Sequence, residues 1–224
     1  IVALDPPSGV EVDLWIKHRF DNLKDLVQGF KIGLPAIISY GIKRIAQHVR
    51  NFDGLLVADL KLADISDVMV LSARLVKESG FNAIIAHSFV GYSQGIEVLA
   101  ETCADIGLKL ILVVSMSHRG SQEFIDKHVD EFTEIAKRVG SWGVVAPATR
   151  PEMIKYVREK VGSEMKILSP GVGVQGAEPG TALCAGADYE IVGRAITHAD
   201  DVRKAALKVI NTQKERVRLC RGSL

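Results

Sequence analysis

The chain has 224 residues, 47% apolar and 25% charged, with 28 Lys+Arg against 27 Asp+Glu for a net charge of +1. That length fits one globular domain or two small ones. A charge balance this close to zero offers no broad positive field for a phosphodiester backbone, so no nucleic-acid partner is expected. The longest apolar runs, such as Leu108 to Val114, are interrupted by charge well short of the roughly 20 residues a membrane span needs, so a soluble protein is expected.

The opening, Ile1-Val2-Ala3-Leu4-Asp5, has no charged leader or cleavage pattern, so no signal peptide is expected; the missing Met suggests a start within a strand. Strand-like runs then recur as GFKIG ending at Gly33, LLVADLK at Lys61, AIIAHS at Ser88, KLILVVS at Ser115, GVVAP at Pro147, KILSPG at Gly171 and YEIVG at Gly193. Counting the opening strand, their ends are 28, 28, 27, 27, 32, 24 and 22 residues apart, the length of one strand, one helix and two short loops. The intervening segments have helical periodicity, as in Ile42, Ile45, Ala46 and Val49, or Leu71, Leu75 and Val76. Strand-helix alternation without hairpin signals predicts a parallel sheet. Eight units predict a single closed (β/α)8 barrel over residues 1–224; a doubly wound open sheet is the alternative, for which eight even units would be many. The basic stretch from Lys214 to Arg221 reads as a solvated last helix turn and a tail.

Cys103, Cys184 and Cys220 are odd in number and widely spaced, which excludes a disulfide framework and any paired-cysteine zinc knuckle and fits a reducing cytoplasm. None of the six histidines has a metal-ligand spacing.

A barrel of this kind carries its active site at the C-terminal strand ends. Asp5, Lys31, Asp59, Lys61, His87, Ser115, Ser117, Ser169 and Arg194 all lie there, whereas few charges interrupt the first halves of the same strands. This asymmetry points to an enzyme. In Leu56 to Ile65, the period of two puts Val57, Asp59 and Lys61 on one face and Ala58 and Leu60 on the other. The apolar face packs under helices, so Asp59 and Lys61 point into the barrel mouth, with Asp64 three residues on and Lys31 inward on the neighbouring strand. A structural ion-pair network, or an N-cap by Asp64, would account for part of this. Burying alternating charge is nevertheless costly, which favours function. Flanking carboxylates keep a lysine protonated, suiting it to donate a proton beside a developing anion and not to form a Schiff base.

Gly171 to Gly176 reads GVGVQG. As a dinucleotide fingerprint it is weak, because Asp188 precedes the next strand instead of ending it. Its place after strand 7, with Gly193-Arg194 after strand 8, is the usual phosphate site of barrels. Glycine N–H groups, the Gln175 amide and the Arg194 guanidinium can grip a phosphate, so a small phosphorylated substrate is expected.

The motifs ALD (Ala3–Asp5), FKIG (Phe30–Gly33), ADLKLADI (Ala58–Ile65), MSH (Met116–His118), SPGVGVQG (Ser169–Gly176) and IVGRAI (Ile191–Ile196) together resemble the orotidine 5′-monophosphate decarboxylase family, particularly its short archaeal form, from Ile1 to about residue 200. The resemblance implies conversion of orotidine 5′-monophosphate to uridine 5′-monophosphate and carbon dioxide without metal or organic cofactor. It implies a catalytic network of Lys31, Asp59, Lys61 and, from the other subunit of a homodimer, Asp64. Lys61 would stabilise and protonate the C6 carbanion, and Asp59 would sit beside the scissile carboxylate. Ser117 would contact the pyrimidine, Asp5 and Lys31 the ribose, and Gln175 and Arg194 the phosphate, with Ile65, Pro170 and Gly193 also against substrate. The loop after strand 7 would close over it. Family members commonly carry a Thr shortly after the second Asp of the motif, contributing a ribose contact across the interface; here the sequence is Ser66-Asp67-Val68, so that contact is expected to be absent or moved, with Asp64 itself retained. Two other readings compete. A magnesium-dependent sugar-phosphate decarboxylase or aldolase of the same superfamily would need an acidic residue near Lys31, where lysine repels a cation. A nucleotide-binding barrel without turnover would be expected to have lost a network residue, and all four are present.

Overall fold

The computed structural model describes residues 1–222. Its eight strands are β1 (Val2–Ala3), β2 (Gly29–Gly33), β3 (Leu55–Leu62), β4 (Ala83–His87), β5 (Lys109–Val113), β6 (Gly143–Val145), β7 (Lys166–Val172) and β8 (Tyr189–Val192). They form a closed barrel in sequence order, each pair parallel, with β1 against β8 through Val2 and Val192. The outer helices are α1 (Val12–Leu23), α2 (Leu34–Tyr40), α3 (Ile42–Val49), α4 (Ser66–Glu78), α5 (Glu97–Asp105), α6 (Val129–Arg138), α7 (Pro151–Val161), α8 (Thr181–Cys184), α9 (Arg194–Thr197) and α10 (Val202–Arg221). The (β/α)8 expectation therefore holds and the open sheet falls.

Local sequence explains the elements. Glu11 and Asp201 cap α1 and α10 by accepting from Leu14 N–H at 2.8 Å and Lys204 N–H at 2.9 Å. Pro151 opens α7, where its missing N–H costs nothing. Helix α6 carries Asp130 and Glu131 in its first turn and Lys137 and Arg138 in its last, complementing the helix dipole. Gly41, at φ +78°, divides the second crossover into α2 and α3.

Alternation along the strands sorts the core into two layers. Ala3, Val57, Ile85, Ile111, Val113, Val145, Leu168 and Ile191 fill the barrel interior. Phe30, Ile32, Leu56, Ala58 and Ile84 face outward beneath the helices. Phe20, Phe30 and Phe52 pack there with ring centroids 5.0–5.9 Å apart. The middle of the interior is apolar, with Lys31, Asp59 and Lys61 above it at the mouth.

Two expectations about the C-terminal region are corrected. The segment from Lys214 to Arg221 is helical as expected but holds no tail: α10 runs unbroken through it, and Arg216 bonds the Pro179 carbonyl at 3.1 Å. Cys184 and Cys220 form a disulfide, with Cα atoms 5.9 Å apart. A separation of 36 residues concealed this pairing, because only the return of α10 onto α8 brings the two together. The argument for a reducing compartment falls with it; Cys103 is free and buried. No helix among the described residues is long and apolar enough to cross a membrane.

A cross-link closing a loop of that length should stabilise the fold by about 3–4 kcal/mol through chain entropy. Cys220→Ser, or reduction, should therefore lower the melting temperature by about 10 °C in calorimetry; equal melting with and without reductant would show the thiols unpaired.

Candidate active site

The first three barrel strands build one half of the mouth. Register sets Ala3 beside Lys31 and Gly33 beside Asp59, so β2 brings its lysine between two carboxylates. Lys31 Nζ lies 3.3 Å from Asp5 Oδ2 and 3.2 Å from Asp59 Oδ2, and Lys61 Nζ donates to Asp59 Oδ1 at 2.7 Å. Asp5, Lys31, Asp59 and Lys61 thus form a chain of alternating charge. The remaining Asp5 oxygen accepts from Gly33 N–H at 2.7 Å. A Cβ on residue 33 would sit 2.5 Å from that oxygen, which explains the glycine closing FKIG.

Burial is the largest influence on both Lys31 and Asp59, and it disfavours the charged form of each. It is outweighed for Lys31 by Asp59 and then Asp5, which together hold the lysine above its usual pKa. It is outweighed for Asp59 by Lys31 and then Lys61, which hold the carboxyl below its usual range. Lys31 and Asp59 are therefore a fixed ion pair at neutral pH. Lys61, with its side chain 38% exposed, and Asp5, at 44%, are the members of the chain open to a ligand.

Strict alternation does not describe how Lys61 gets there. Between the pairs Ala58–Ile84 and Leu62–Ala86, β3 advances four residues while β4 advances two. Lys61 itself has φ +46°, a left-handed conformation costing a non-glycine residue about 1–2 kcal/mol. The bulge turns the Lys61 side chain toward Asp59.

Strands β7 and β8 supply the other half. The loop after β7 turns back through Gly173 N–H to the Ala177 carbonyl and Gly176 N–H to the Gly173 carbonyl, both 2.8 Å. Gly173 has φ +85°, and a Cβ there would meet the Ala195 Cβ at 2.7 Å, so glycine is required twice over. The fold leaves Val174 and Gln175 exposed at the tip. Arg194 is also exposed and makes no ion pair with any described residue.

A single cavity of about 390 Å³ joins the two halves. Asp5, Lys31, Asp59 and Lys61 line one end, and Pro170, Gln175, Gly193 and Arg194 the other, with Ser117 between. Asp64 and Ile65 are elsewhere. Asp64 is exposed, and its Oδ1 accepts only from Ile65 N–H at 2.7 Å. It is not the N-cap of α4, a position taken by Ile65 without a side-chain bond. A larger cavity of about 840 Å³ lies between α10 and the starts of β1 and β2 and contains none of the predicted residues.

Several supporting groups were not legible in the sequence. Asp126 Oδ1 accepts from Ser115 Oγ at 2.6 Å and Ser121 Oγ at 2.7 Å, and Arg150 bonds Asp126, Ser115 and the Met116 carbonyl. This cluster holds the segment that presents Ser117. Burial would raise the Asp126 pKa, but Arg150 and the two serines draw it below the usual range. The only sequence signal was the polar character of Ser115; its partners are 11 and 35 residues away. His87, buried at the end of β4 with its ring 4.6 Å from that of Phe89, has its pKa lowered to about 4 by burial and then by Lys61. It is neutral at pH 7.

Comparison with known proteins identifies the family. Residues 1–209 match the model of the orotidine 5′-phosphate decarboxylase / HUMPS family. The orotidine 5′-phosphate decarboxylase of Aeropyrum pernix is 48% identical over 208 residues, covering 90% of this chain and 82% of its own. That of Pyrococcus furiosus is 40% identical over 195 residues, covering 87% and 90%. The crystal structure of orotidine 5′-monophosphate decarboxylase from Sulfolobus solfataricus superposes with a TM-score of 0.86 at 28% identity, covering 96% of this chain and 97% of that one. The Methanocaldococcus jannaschii enzyme complexed with the inhibitor BMP gives 0.83 at 30% identity, covering 95% and 96%. On the family match and the near full-length relatives, the chain belongs to the orotidine 5′-phosphate decarboxylase / HUMPS family.

Proposed function

We propose that the 390 Å³ cavity binds orotidine 5′-monophosphate and that the chain decarboxylates it to uridine 5′-monophosphate and carbon dioxide, with residues 1–224 forming one catalytic domain, the last two of which lie outside the described residues. The observation that carries this reading is the alternating chain Asp5–Lys31–Asp59–Lys61, opposite an unpaired Arg194 and a glycine-rich loop in the same cavity. Such a site takes a molecule with a phosphate at one end and a reacting carboxylate at the other.

In the proposed reaction the phosphate lies against Arg194, Gln175 and Gly193, the ribose near Asp5 and Lys31, and the pyrimidine against Ser117 and Pro170. The C6–carboxylate bond then lies at Asp59 and Lys61. As it breaks, the bonding pair stays on C6, carbon dioxide leaves neutral, and C6 takes a proton from Lys61 Nζ. No adjacent carbonyl delocalises an sp² carbanion at C6, so a preplaced ammonium is the available stabiliser. Asp59 fixes that ammonium through the 2.7 Å bond. The reaction needs no metal or organic cofactor. Lys31 counts against the magnesium-dependent reading, because its ammonium occupies the space between the two carboxylates that would have to hold the cation.

Asp64, exposed and free of its own chain's lysines, is proposed to complete the site of a second subunit in a homodimer. Ile65, Val68, Leu71 and Leu75 on and before α4, together with Phe89, are exposed apolar residues next to it and support that interface. Val68 at this face fits the absence of the family's polar contact. The enzyme is proposed to be cytoplasmic, where nucleotide monophosphates are made; its disulfide has precedent in intracellular proteins of hyperthermophiles.

Lys61→Ala should lower kcat by about 10³-fold or more while uridine 5′-monophosphate still binds; substantial residual turnover would remove the proton-donor role. Arg194→Ala should raise KM by about 10- to 100-fold, the loss of a charge-assisted bond, and an unchanged KM would refute the phosphate assignment. Excess EDTA should leave activity intact. Mixing inactive Lys61→Ala and Asp64→Asn chains should restore about a quarter of wild-type activity, since half the dimers are mixed and each has one intact site; no recovery would count against a shared site.

A further inference from the structure

The two halves of the phosphate grip come from different segments: Gln175 from the loop after β7, and Gly193 and Arg194 from the end of β8. Glu190 joins them. It lies on β8, four residues before Arg194, with its side chain directed outward and 2% exposed. Its Oε1 accepts from Gly180 N–H at 2.9 Å and Ala182 N–H at 3.0 Å, and its Oε2 from Gly180 N–H at 2.8 Å and Gln213 Nε2 at 2.8 Å. Gly180 and Ala182 are the stem through which the phosphate loop enters α8. The other stem is also fastened to β8, through the pairing of Val172 with Val192.

Helix α10 locks the same stem from outside. Arg216 bonds the Pro179 carbonyl at 3.1 Å and pairs with Glu178. Gly180, at φ +89°, approaches so closely that a Cβ would lie 2.8 Å from the Arg216 Cβ. Gln213, Arg216 and Cys220 follow each other at spacings of three and four along one face of α10, and Cys220 adds the covalent link to Cys184. Glu190 makes no salt bridge with a described side chain; its charge is met by two backbone N–H groups of one loop stem, by the Gln213 amide and, through space, by the α-ammonium of Ile1.

We propose that Glu190 is a positioning residue for phosphate recognition: it fixes the stem of the phosphate loop to the strand bearing Arg194, so that Gln175 and Arg194 meet the same phosphate. Glu190 touches no substrate and lies on the far side of β8 from the cavity. The charged chain on β1–β3 does not depend on it. This proposal rests on the reading of the cavity as a site for orotidine 5′-monophosphate.

The test compares kcat/KM for orotidine 5′-monophosphate with that for orotidine, the same molecule without phosphate, in wild type, Glu190→Gln and Arg216→Ala. Glutamine keeps the shape but presents an NH₂ to N–H donors. Glu190→Gln should lower kcat/KM for the phosphorylated substrate by about tenfold, the worth of one charge-assisted bond, chiefly through KM, and leave that for orotidine within about twofold. Arg216→Ala should act in the same direction but less, and decides the matter if Glu190→Gln does not fold. Parallel losses on both substrates would mean a general structural lesion and overturn the proposal, as would no loss on either. A wild-type chain inactive on orotidine 5′-monophosphate would instead bring down the reading of the cavity, and the proposal with it.

Discussion

The buried pair Lys31–Asp59 is the constraint around which the barrel mouth is arranged. Removing an ion from water costs several kcal/mol even after relaxation, and a lone partner would be left uncompensated. The pair is tolerated because each member has a second partner of opposite sign, Asp5 for Lys31 and Lys61 for Asp59. That arrangement needs fixed strand positions. Strands β2 and β3 provide them through five consecutive register pairs from Gly29–Leu55 to Gly33–Asp59. On its other edge β3 is irregular, and the bulge falls at the lysine that must turn into the cavity. One edge of β3 therefore holds the charge in place, while the other allows Lys61 its unusual backbone.

Closure of the barrel joins this charge to the proposed phosphate end. The charged chain begins just after β1 and the phosphate grip ends just after β8, almost 190 residues apart, and Val2 pairs with Val192 to bring them side by side. An open sheet would place the first and last of eight strands far apart. The length of the cavity, with its charged chain at one end and Arg194 at the other, is thus a product of topology as much as of side chains. Glycines at 33 and 173 permit the closest approaches, to Asp5 and Ala195.

What was legible in the sequence was whatever repeats or alternates. Eight strands recur at near-constant intervals, and period-two alternation correctly separated Val57 from Ala58. Strand ends were overrun by about two residues at Asp5, Ser115 and Pro147, because polar residues continuing the line of a strand cannot be told from strand by pattern alone. The candidate residues Asp5, Lys31, Asp59, Lys61, Ser117, Pro170, Gln175, Gly193 and Arg194 share one cavity because all sit at the same end of the barrel. Contacts between residues distant in sequence and irregular in spacing left no trace. The Asp126–Arg150 clamp, the Cys184–Cys220 bond and the Glu190 mooring all require knowing where α10 or the β5 loop returns.

Near neutrality of the whole molecule acquires a sharper meaning at this site. Asp5, Lys31, Asp59 and Lys61 sum to zero formal charge, so the mouth does not attract anions by a net field; it discriminates by position over a few ångströms. In the proposed reading attraction would be supplied instead at the far end, by Arg194 and the loop amides, where it would act on a phosphate that does not change during the reaction. At the reacting end, negative charge would move from a carboxylate that becomes neutral carbon dioxide onto C6, toward the ammonium of Lys61. A contact that strengthens along that path lowers the barrier, whereas one equally strong before and after only improves binding. The separation of a constant grip from a charge-sensitive site is therefore what this arrangement of strands accomplishes, and an Asp64 contributed by a partner subunit would make the reacting end more negative, favouring departure of the carboxylate over its retention.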